Sequence, residues 1–242
     1  MSSLSSSFRD WASLARLPNL PTVWSNVIAA WALVDHGWRQ DWSWPAVSMA
    51  VLASATLIYA GACLMNDAWD AADDARTRPN RPIPSGRVSQ GLAATVGAIF
   101  LLSGALLTPK LIPVLLPVFG YGLFHRQFAG FSSIVMGLCR AILAVCVSWL
   151  AWRTTHFDDL YLPTPWFLFY VATLWLYVSA ISWVAKDEGS KPSRQSNVGI
   201  MLAALPLLDA AFLLPAGAFL AAVAAVGCFA CAMGLRHFAM AT

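Results

Sequence analysis

The residues best suited to chemistry lie together, just after the second long apolar run. Asn66, Asp67, Asp70 and Asp74 form an acidic cluster there. If this run continues as a helix past Met65, Asn66, Asp70 and Asp74 fall at i, i+4 and i+8, with Asp67 on the same face. Stacked carboxylates repel each other, and a bound cation reverses that penalty. The spacing therefore predicts a metal site at this helix end.

The chemistry of the ligands indicates which metal this is and what accompanies it. Oxygen ligands without histidine or thiolate favour Mg²⁺, which usually completes its coordination with water and phosphate oxygens. A basic segment follows at once, stiffened by Pro79, Pro82 and Pro84. Its guanidinium groups suit phosphate oxygens and come from Arg76, Arg78, Arg81 and Arg87. The alternative is an ordinary polar loop, but the ordered pairing of acidic and basic parts favours a metal-bridged diphosphate.

The composition identifies the surroundings of this site. The chain of 242 residues is 59% hydrophobic and 11% charged, and it contains 12 Trp, which excludes an ordinary water-soluble domain. A membrane-spanning helix needs about 20 apolar residues. Eight runs qualify, at residues 17–34, 45–65, 88–108, 111–124, 133–152, 166–185, 198–214 and 216–235. Because lipid satisfies no backbone hydrogen bonds, we expect an all-α polytopic transmembrane bundle of about eight spans. It should be one domain over residues 1–242, surrounded by lipid, with no nucleic-acid partner.

The cations predict how the bundle is oriented. Loops rich in Lys and Arg stay on the cytoplasmic side of a membrane. Alternate loops place eleven cations on one side, at Arg9, Arg16, Arg76, Arg78, Arg81, Arg87, Arg126, Lys186, Lys191, Arg194 and Arg236. The opposite side has three, at Arg39, Lys110 and Arg153. The split predicts cytoplasmic termini and cytoplasmic site loops in an integral protein of an inner, cytoplasmic membrane.

The same segment resembles the first signature of the UbiA-type intramembrane prenyltransferases, an Asn-Asp-rich motif followed by an Arg-Pro-rich loop. The matching positions, in order, are Asn66, Asp67, Asp70, Asp74, Arg78, Pro79, Arg81, Pro82, Ile83, Pro84, Ser85 and Gly86. The resemblance implies a bundle of nine helices as the family norm. It also implies transfer of a prenyl group from an allylic diphosphate to an aromatic or other lipophilic acceptor, with Mg²⁺ held between two Asp-rich motifs.

The family's second signature is reduced in this chain. It corresponds to Lys186, Asp187, Glu188 and Lys191, where Lys191 replaces the final aspartate. The resemblance implies that Asn66, Asp70 and Asp74 bind the metal and diphosphate with help from Asp67. Asp187 then supplies the catalytic group of the second site, and Asp187 and Glu188 its metal ligands. Lys186 and Lys191 are expected to contact the substrate.

Further substrate-binding candidates lie elsewhere in the chain. The family's Tyr-x-x-x-Lys-like element appears as Tyr121 followed by His125 and Arg126, so one of these two would replace the lysine. Arg16 matches a family position at the mouth of the first span, where it either contacts diphosphate or only sets the topology. Arg140 lies inside the fifth span, where a lone charge is expensive, and we expect it to line a polar cavity.

Two further polar residues leave their roles open. Asp209, in the seventh span, either pairs with a cation or lies near the acceptor. Asn26, in the first span, either faces the cavity or forms a hydrogen bond between helices, which is the more usual role.

Three functions fit these residues. The leading hypothesis is a Mg²⁺-dependent prenyltransferase that takes a prenyl diphosphate and a lipophilic acceptor. A terpene cyclase on the same scaffold would ionise the diphosphate without an acceptor, and a non-catalytic binder or transporter would hold a lipid diphosphate intact. The altered second motif keeps both alternatives open. The sequence predicts no oligomeric state.

Overall fold

The computed structural model describes residues 2–34, 45–124, 129–155, 160–186 and 192–240. The regular structure in these residues is entirely helical. Two short 3-10 segments, Leu17–Asn19 and Pro109–Val114, accompany the α-helices. These are α1 (Ser2–Leu14), α2 (Leu20–Ala32), α3 (Pro45–Trp69), α4 (Ala71–Thr77), α5 (Gln90–Leu107), α6 (Leu115–Phe124), α7 (Ala129–Thr155), α8 (Pro165–Lys186), α9 (Pro192–Ala203), α10 (Leu205–Leu213) and α11 (Phe219–Met240).

Five helices in the described ranges are long and apolar enough to cross a bilayer. They contain Ser48–Trp69, Gln90–Leu107, Phe131–Thr154, Pro165–Ala185 and Phe219–Arg236, and they coincide with five of the eight predicted runs. The all-helical membrane bundle is therefore confirmed. The remaining three runs contain shorter helices, namely α2, α6 after its 3-10 segment, and the pair α9 and α10. The number of spans stays a prediction.

The short helix α2 is the centre of the bundle. Eleven of its thirteen residues are buried, and it contacts α3, α7, α10 and α11. Three of the buried side chains are polar, Thr22, Ser25 and Asn26, and each is fully inaccessible. Because a buried polar group needs a hydrogen-bond partner, the surrounding helices must supply polar groups of their own.

The contact between α3 and α5 depends on small residues. A Cβ atom at Gly61 would lie 2.8 Å from the backbone oxygen of Gly97, and one at Gly97 would lie 3.1 Å from that of Gly61. Ser54 Oγ donates to the Gly104 carbonyl oxygen at 2.6 Å on the same seam. Close backbone approach through glycine is typical of membrane helix pairs. The seam fixes α3, which carries the acidic cluster at its end.

A small apolar cluster holds the basic loop against the helix ends. It contains Leu14, Leu64, Ala68, Ala71, Ile83, Val88 and Ala93. Gly86 lies in the left-handed region with φ of 77°, a conformation that costs glycine little. Ser89 then caps α5 by accepting a hydrogen bond from the Leu92 backbone N–H at 3.2 Å. The loop that follows the acidic cluster is thus a packed element of the fold.

Candidate active site

The acidic cluster lies on one continuous helical path, as the spacing predicts. α3 ends at Trp69 and α4 begins at Ala71, with Asp70 between them in helical conformation. The Asp70 backbone N–H donates to the Asn66 carbonyl at 2.9 Å, and the Asp74 N–H donates to the Asp70 carbonyl at 2.8 Å. Asn66 Nδ2 also lies 3.4 Å from Asp70 Oδ2. The i, i+4 register therefore continues across the junction.

Two arginines neutralise the buried carboxylates of the cluster. Asp67 and Asp74 are each 7% exposed. Arg81 Nη1 donates to Asp74 Oδ2 at 2.6 Å and lies 3.5 Å from Asp67 Oδ1. Arg16 Nη2 also lies 3.5 Å from Asp67 Oδ1. The acidic and basic parts of the motif are thus one ion-pair network, and Arg81 and Arg16 offset the repulsion between the carboxylates.

Arg16 has an unusual backbone conformation. Its φ of 49° and ψ of 47° lie in the left-handed region, which is uncommon for a residue with a side chain. Its guanidinium lies 3.5 Å from Asp67 Oδ1, and a nearby carboxylate favours the charged form of a base. Arg16 is therefore a permanent cation at this site.

The other arginines of the basic segment divide between the site and the scaffold. Arg78 lines the cavity described below. Arg87 instead joins the loop to α1, since its Nε donates to Asp10 Oδ1 at 2.9 Å and its Nη2 to the Asn80 carbonyl at 3.0 Å. Arg76 is exposed in the last turn of α4.

A cavity of about 610 Å³ opens beside the acidic cluster. One end is polar and partly exposed, lined by Arg16, Asn19, Asn66, Arg78, Arg81 and Tyr121. The rest is mainly apolar, with a wall that includes Ala55, Ile58, Val118, Leu143, Ile181 and Leu205. Its size and its few polar groups are typical of small-molecule sites. The shape can take a charged head at one end and a hydrocarbon body beyond it.

The structure brings some of the predicted site residues to this cavity and leaves others behind its wall. Six line it: Arg16, Asn66, Arg78, Arg81, Tyr121 and Arg140. Asp67, Asp70 and Asp74 are described but are not part of the wall. His125, Arg126, Asp187, Glu188 and Lys191 lie outside the described residues, and only the backbone of Lys186 is described. Convergence of the two acidic motifs thus stays a prediction.

The polar groups near the mouth fit a metal only in part. Among the described residues, no three His, Cys, Asp or Glu side chains cluster as a metal site. Asn66 Oδ1, however, is buried without a hydrogen-bond partner, which is a costly condition for a polar atom. Its amide lies beside the Asp70 carboxylate. Two adjacent oxygen ligands suit Mg²⁺, which needs only one or two from protein when phosphate and water supply the rest.

A second polar group lies deeper, where Arg140 of α7 meets α2. Arg140 is 9% exposed; its Nη1 donates to Asn26 Oδ1 at 2.7 Å, and its Nη2 donates to Thr22 Oγ1 at 2.9 Å. The guanidinium also lies 5.5 Å from the centroid of the Tyr59 ring, a cation–π distance. The prediction that Arg140 lines the cavity is confirmed.

Asp209 completes this deeper network from α10. It accepts hydrogen bonds from Ser25 Oγ, from Asn26 Nδ2 at 3.1 and 2.9 Å to its two oxygens, and from Tyr170 OH at 2.9 Å. Asn26 therefore forms interhelical hydrogen bonds, and it links Asp209 to Arg140 indirectly. Of the two roles open for Asp209, the structure favours partnership with a cation, through Asn26.

Several residues at this site were not singled out by the sequence. Tyr59 and Cys63 line the cavity with Asn66, and the three fall at i, i+4 and i+7 on α3. This helical spacing was available as a signal. Thr22, Ser25 and Tyr170 carry no such local signal, because their partners are distant in the chain. Trp69 also lines the cavity, and its ring lies 6.3 Å from that of Phe119.

Comparisons with known proteins give relatives of one kind. The chain is 28% identical over 179 residues to a 4-hydroxybenzoate octaprenyltransferase of Vibrio campbellii, covering 71% of this chain and 59% of that relative. It is 26% identical over 214 residues to the Vibrio parahaemolyticus enzyme of that name, covering 82% of this chain and 71% of the relative. The first of these matches thus spans less than two thirds of its relative. No protein-family model matches the chain.

A solved structure shares the fold. A digeranylgeranylglyceryl phosphate synthase superposes with a TM-score of 0.53 over 99% of this chain and 97% of its own, at 17% sequence identity. At that identity the likeness concerns the fold alone. Together with the relatives, it agrees with the resemblance carried by the first motif.

Proposed function

We infer that this chain, as a divergent member of the UbiA superfamily, is an intramembrane prenyltransferase. It moves a prenyl group from an allylic prenyl diphosphate to a lipophilic or aromatic acceptor. One observation carries this proposal. Asn66, Arg78 and Arg81 of the first motif line the polar mouth of a cavity whose interior is mainly apolar, and the ion pairs of Arg81 join that mouth to Asp67 and Asp74.

The arginines at the mouth are the groups that would bind the diphosphate. Arg16, Arg78 and Arg81 all line it, and guanidinium forks suit phosphate oxygens. Arg81 now donates to Asp74 at 2.6 Å. Binding of a diphosphate would offer Arg81 a further anion, and the Asp74 carboxylate would then become available to a cation.

Mg²⁺ is the metal that the family resemblance implies. Asn66 and Asp70 fit it best among the described residues, because the Asn66 Oδ1 atom lacks a partner and the Nδ2 atom of the same amide donates to the Asp70 carboxylate. Asp74, Asp187 and Glu188 are the further ligands proposed from the sequence. The metal, when bound, neutralises charge on the departing diphosphate.

The reaction follows from the two ends of the cavity. The carbon–oxygen bond of the allylic diphosphate breaks, and the electron pair leaves with the diphosphate, which Arg16, Arg78 and Arg81 stabilise. The apolar wall excludes water from the allylic cation. The acceptor then forms a bond to the allylic carbon and loses a proton. The positive-inside pattern of the sequence predicts that the mouth faces the cytoplasmic side of the membrane.

Purified protein in lipid nanodiscs tests the proposal. It should release diphosphate from geranyl, farnesyl and geranylgeranyl diphosphates when Mg²⁺ and an aromatic acceptor such as 4-hydroxybenzoate or its methyl ester are present. Asp70→Asn should reduce turnover by about a hundredfold or more. Asp73→Asn is the matched control, because Asp73 is an exposed acid on the neighbouring turn.

The products separate the alternative functions. Prenylated acceptor supports the transferase. A cyclic hydrocarbon or alcohol formed without acceptor would identify a cyclase, and tight Mg²⁺-dependent binding without diphosphate release over hours would identify a binder. Full turnover by Asp70→Asn would rule out the assigned site.

A further inference from the structure

Arg140 brings a further positive charge into the cavity, from α7, a helix that carries none of the arginines at the mouth. It lies over the ring of Tyr59, and Tyr59 precedes Asn66 by seven residues on α3. At a rise of about 1.5 Å per residue, the backbone of Tyr59 lies about 10 Å from that of Asn66 along the α3 axis. Both residues line the same cavity. The cavity therefore has cations in two places, the arginines at the mouth and Arg140 beside Tyr59.

The groups that hold Arg140 are neutral. Its two hydrogen bonds go to the Asn26 amide oxygen and the Thr22 hydroxyl. Within the described part of the chain, no carboxylate oxygen lies within 4.0 Å of its guanidinium. A guanidinium has five N–H donors, and these two bonds leave donors for a ligand. A buried cation without an adjacent anion is an expensive arrangement, and such residues mark functional sites.

Asp209 does not fill this role, because its oxygens already have partners. Ser25, Asn26 and Tyr170 all donate to it, and it is fully inaccessible. The Asn26 side chain is fixed in orientation, since its NH₂ group faces Asp209 while its oxygen faces Arg140. Asp209 thus holds Asn26, and Asn26 with Thr22 holds Arg140 at the cavity wall.

We propose that Arg140, braced by Thr22 and Asn26, binds an anionic group of the acceptor, such as a carboxylate or an ionised phenol. This rests on the proposed prenyl transfer. The allylic carbon next to the diphosphate lies near the mouth, and the anionic group of the acceptor lies at Arg140. The site thereby selects acidic acceptors over neutral ones of the same shape.

Binding measurements on the full chain in nanodiscs test the site. The probes are 4-hydroxybenzoate and its methyl ester, which differ in charge but share the ring and hydroxyl. Their affinities are measured by calorimetry. The wild-type chain should bind the carboxylate about tenfold or more tightly than the ester. Arg140→Gln should abolish this preference, and Arg153→Gln, an exposed arginine on the same helix, should retain it.

Diphosphate release from the prenyl diphosphate separates the two proposals and shows that a variant is folded. If Arg140→Gln does not accumulate, Arg140→Lys is measured in its place. Its preference for the carboxylate over the ester should be smaller than that of the wild-type chain, because an ammonium group lacks the guanidinium fork. Equal wild-type affinities for the two probes overturn the site, as does a preference unchanged in the variant that folds. Diphosphate release without a preference would remove this inference alone. A preference without any release would remove the proposed transfer and leave the anion site.

Discussion

Arg81 donates from Nη1 to Asp74 Oδ2 at 2.6 Å, so the arginine loop is bound directly to the acidic helix end. The same nitrogen lies 3.5 Å from Asp67 Oδ1. One guanidinium therefore contacts two buried carboxylates, and Arg16 supplies a second cation at Asp67. In this state the ion-pair network is complete before any diphosphate arrives. Binding of the diphosphate must then redistribute these contacts, which makes Arg81 the residue that couples the two halves of the motif.

Replacement of Arg81 by lysine tests this coupling. Lysine keeps the charge but cannot bridge Asp67, Asp74 and a phosphate through one planar fork. We expect kcat/KM for the allylic diphosphate to fall by about tenfold or more. Diphosphate release in nanodiscs measures it. Arg87→Lys is the control, because Arg87 contacts Asp10 and the Asn80 carbonyl on the scaffold. Equal losses in both variants would contradict a specific role for Arg81.

The acidic helix end and its partner loop were predictable because their signals are local. Asn66, Asp70 and Asp74 repeat at helical spacing, and the helix continues through them. The cost of a charge inside an apolar run was enough to predict that Arg140 lines the cavity. The deeper network was not predictable, because Ser25 and Asn26 meet Asp209 across 184 and 183 positions of sequence. No local pattern specifies which helices become neighbours.

Proline explains why two of the predicted runs contain shorter helices. Hydropathy averages over a window and ignores the missing N–H of proline. Pro206 stands at the start of α10, after the break that ends α9. Pro109 begins the 3-10 segment before α6, and Pro113 lies within it. The apolar runs were thus located correctly from the sequence, but the breaks in the helices within them were not predicted.

Gly122 tests how the mouth is shaped. A Cβ atom at Gly122 would lie 1.9 Å from the ring of Trp69, a residue that lines the cavity beside Asn66. Gly122→Ala should displace the ring and lower kcat/KM for the diphosphate by about tenfold. Gly120→Ala is the matched control on the same helix, where a Cβ atom meets nothing within 4 Å. If both variants retain wild-type kinetics, Trp69 has no part in shaping the mouth.

Gly61 tests the seam between α3 and α5. An alanine there would place its Cβ 2.8 Å from the Gly97 oxygen and 2.9 Å from the Leu101 nitrogen. Because backbone cannot rotate away as a side chain can, Gly61→Ala should destabilise the protein by about 1–3 kcal/mol. Thermal unfolding in detergent measures the loss. Gly91→Ala on α5 is the control, because a Cβ atom there meets nothing within 4 Å. Equal unfolding temperatures for the two variants would contradict a structural role for the seam.

Asn26 provides a test of the buried network that depends on stability rather than on turnover. Its amide donates to Asp209 and accepts from Arg140, so Asn26→Leu removes hydrogen bonds from an anion and a cation together. Leaving buried charges without these partners should cost about 3 kcal/mol or more, which denaturant or thermal unfolding in detergent measures. Asn197→Leu replaces an exposed asparagine and should have little effect. A wild-type unfolding midpoint for Asn26→Leu would mean that Asp209 and Arg140 do not depend on Asn26, and the bracing of Arg140 would lose its basis.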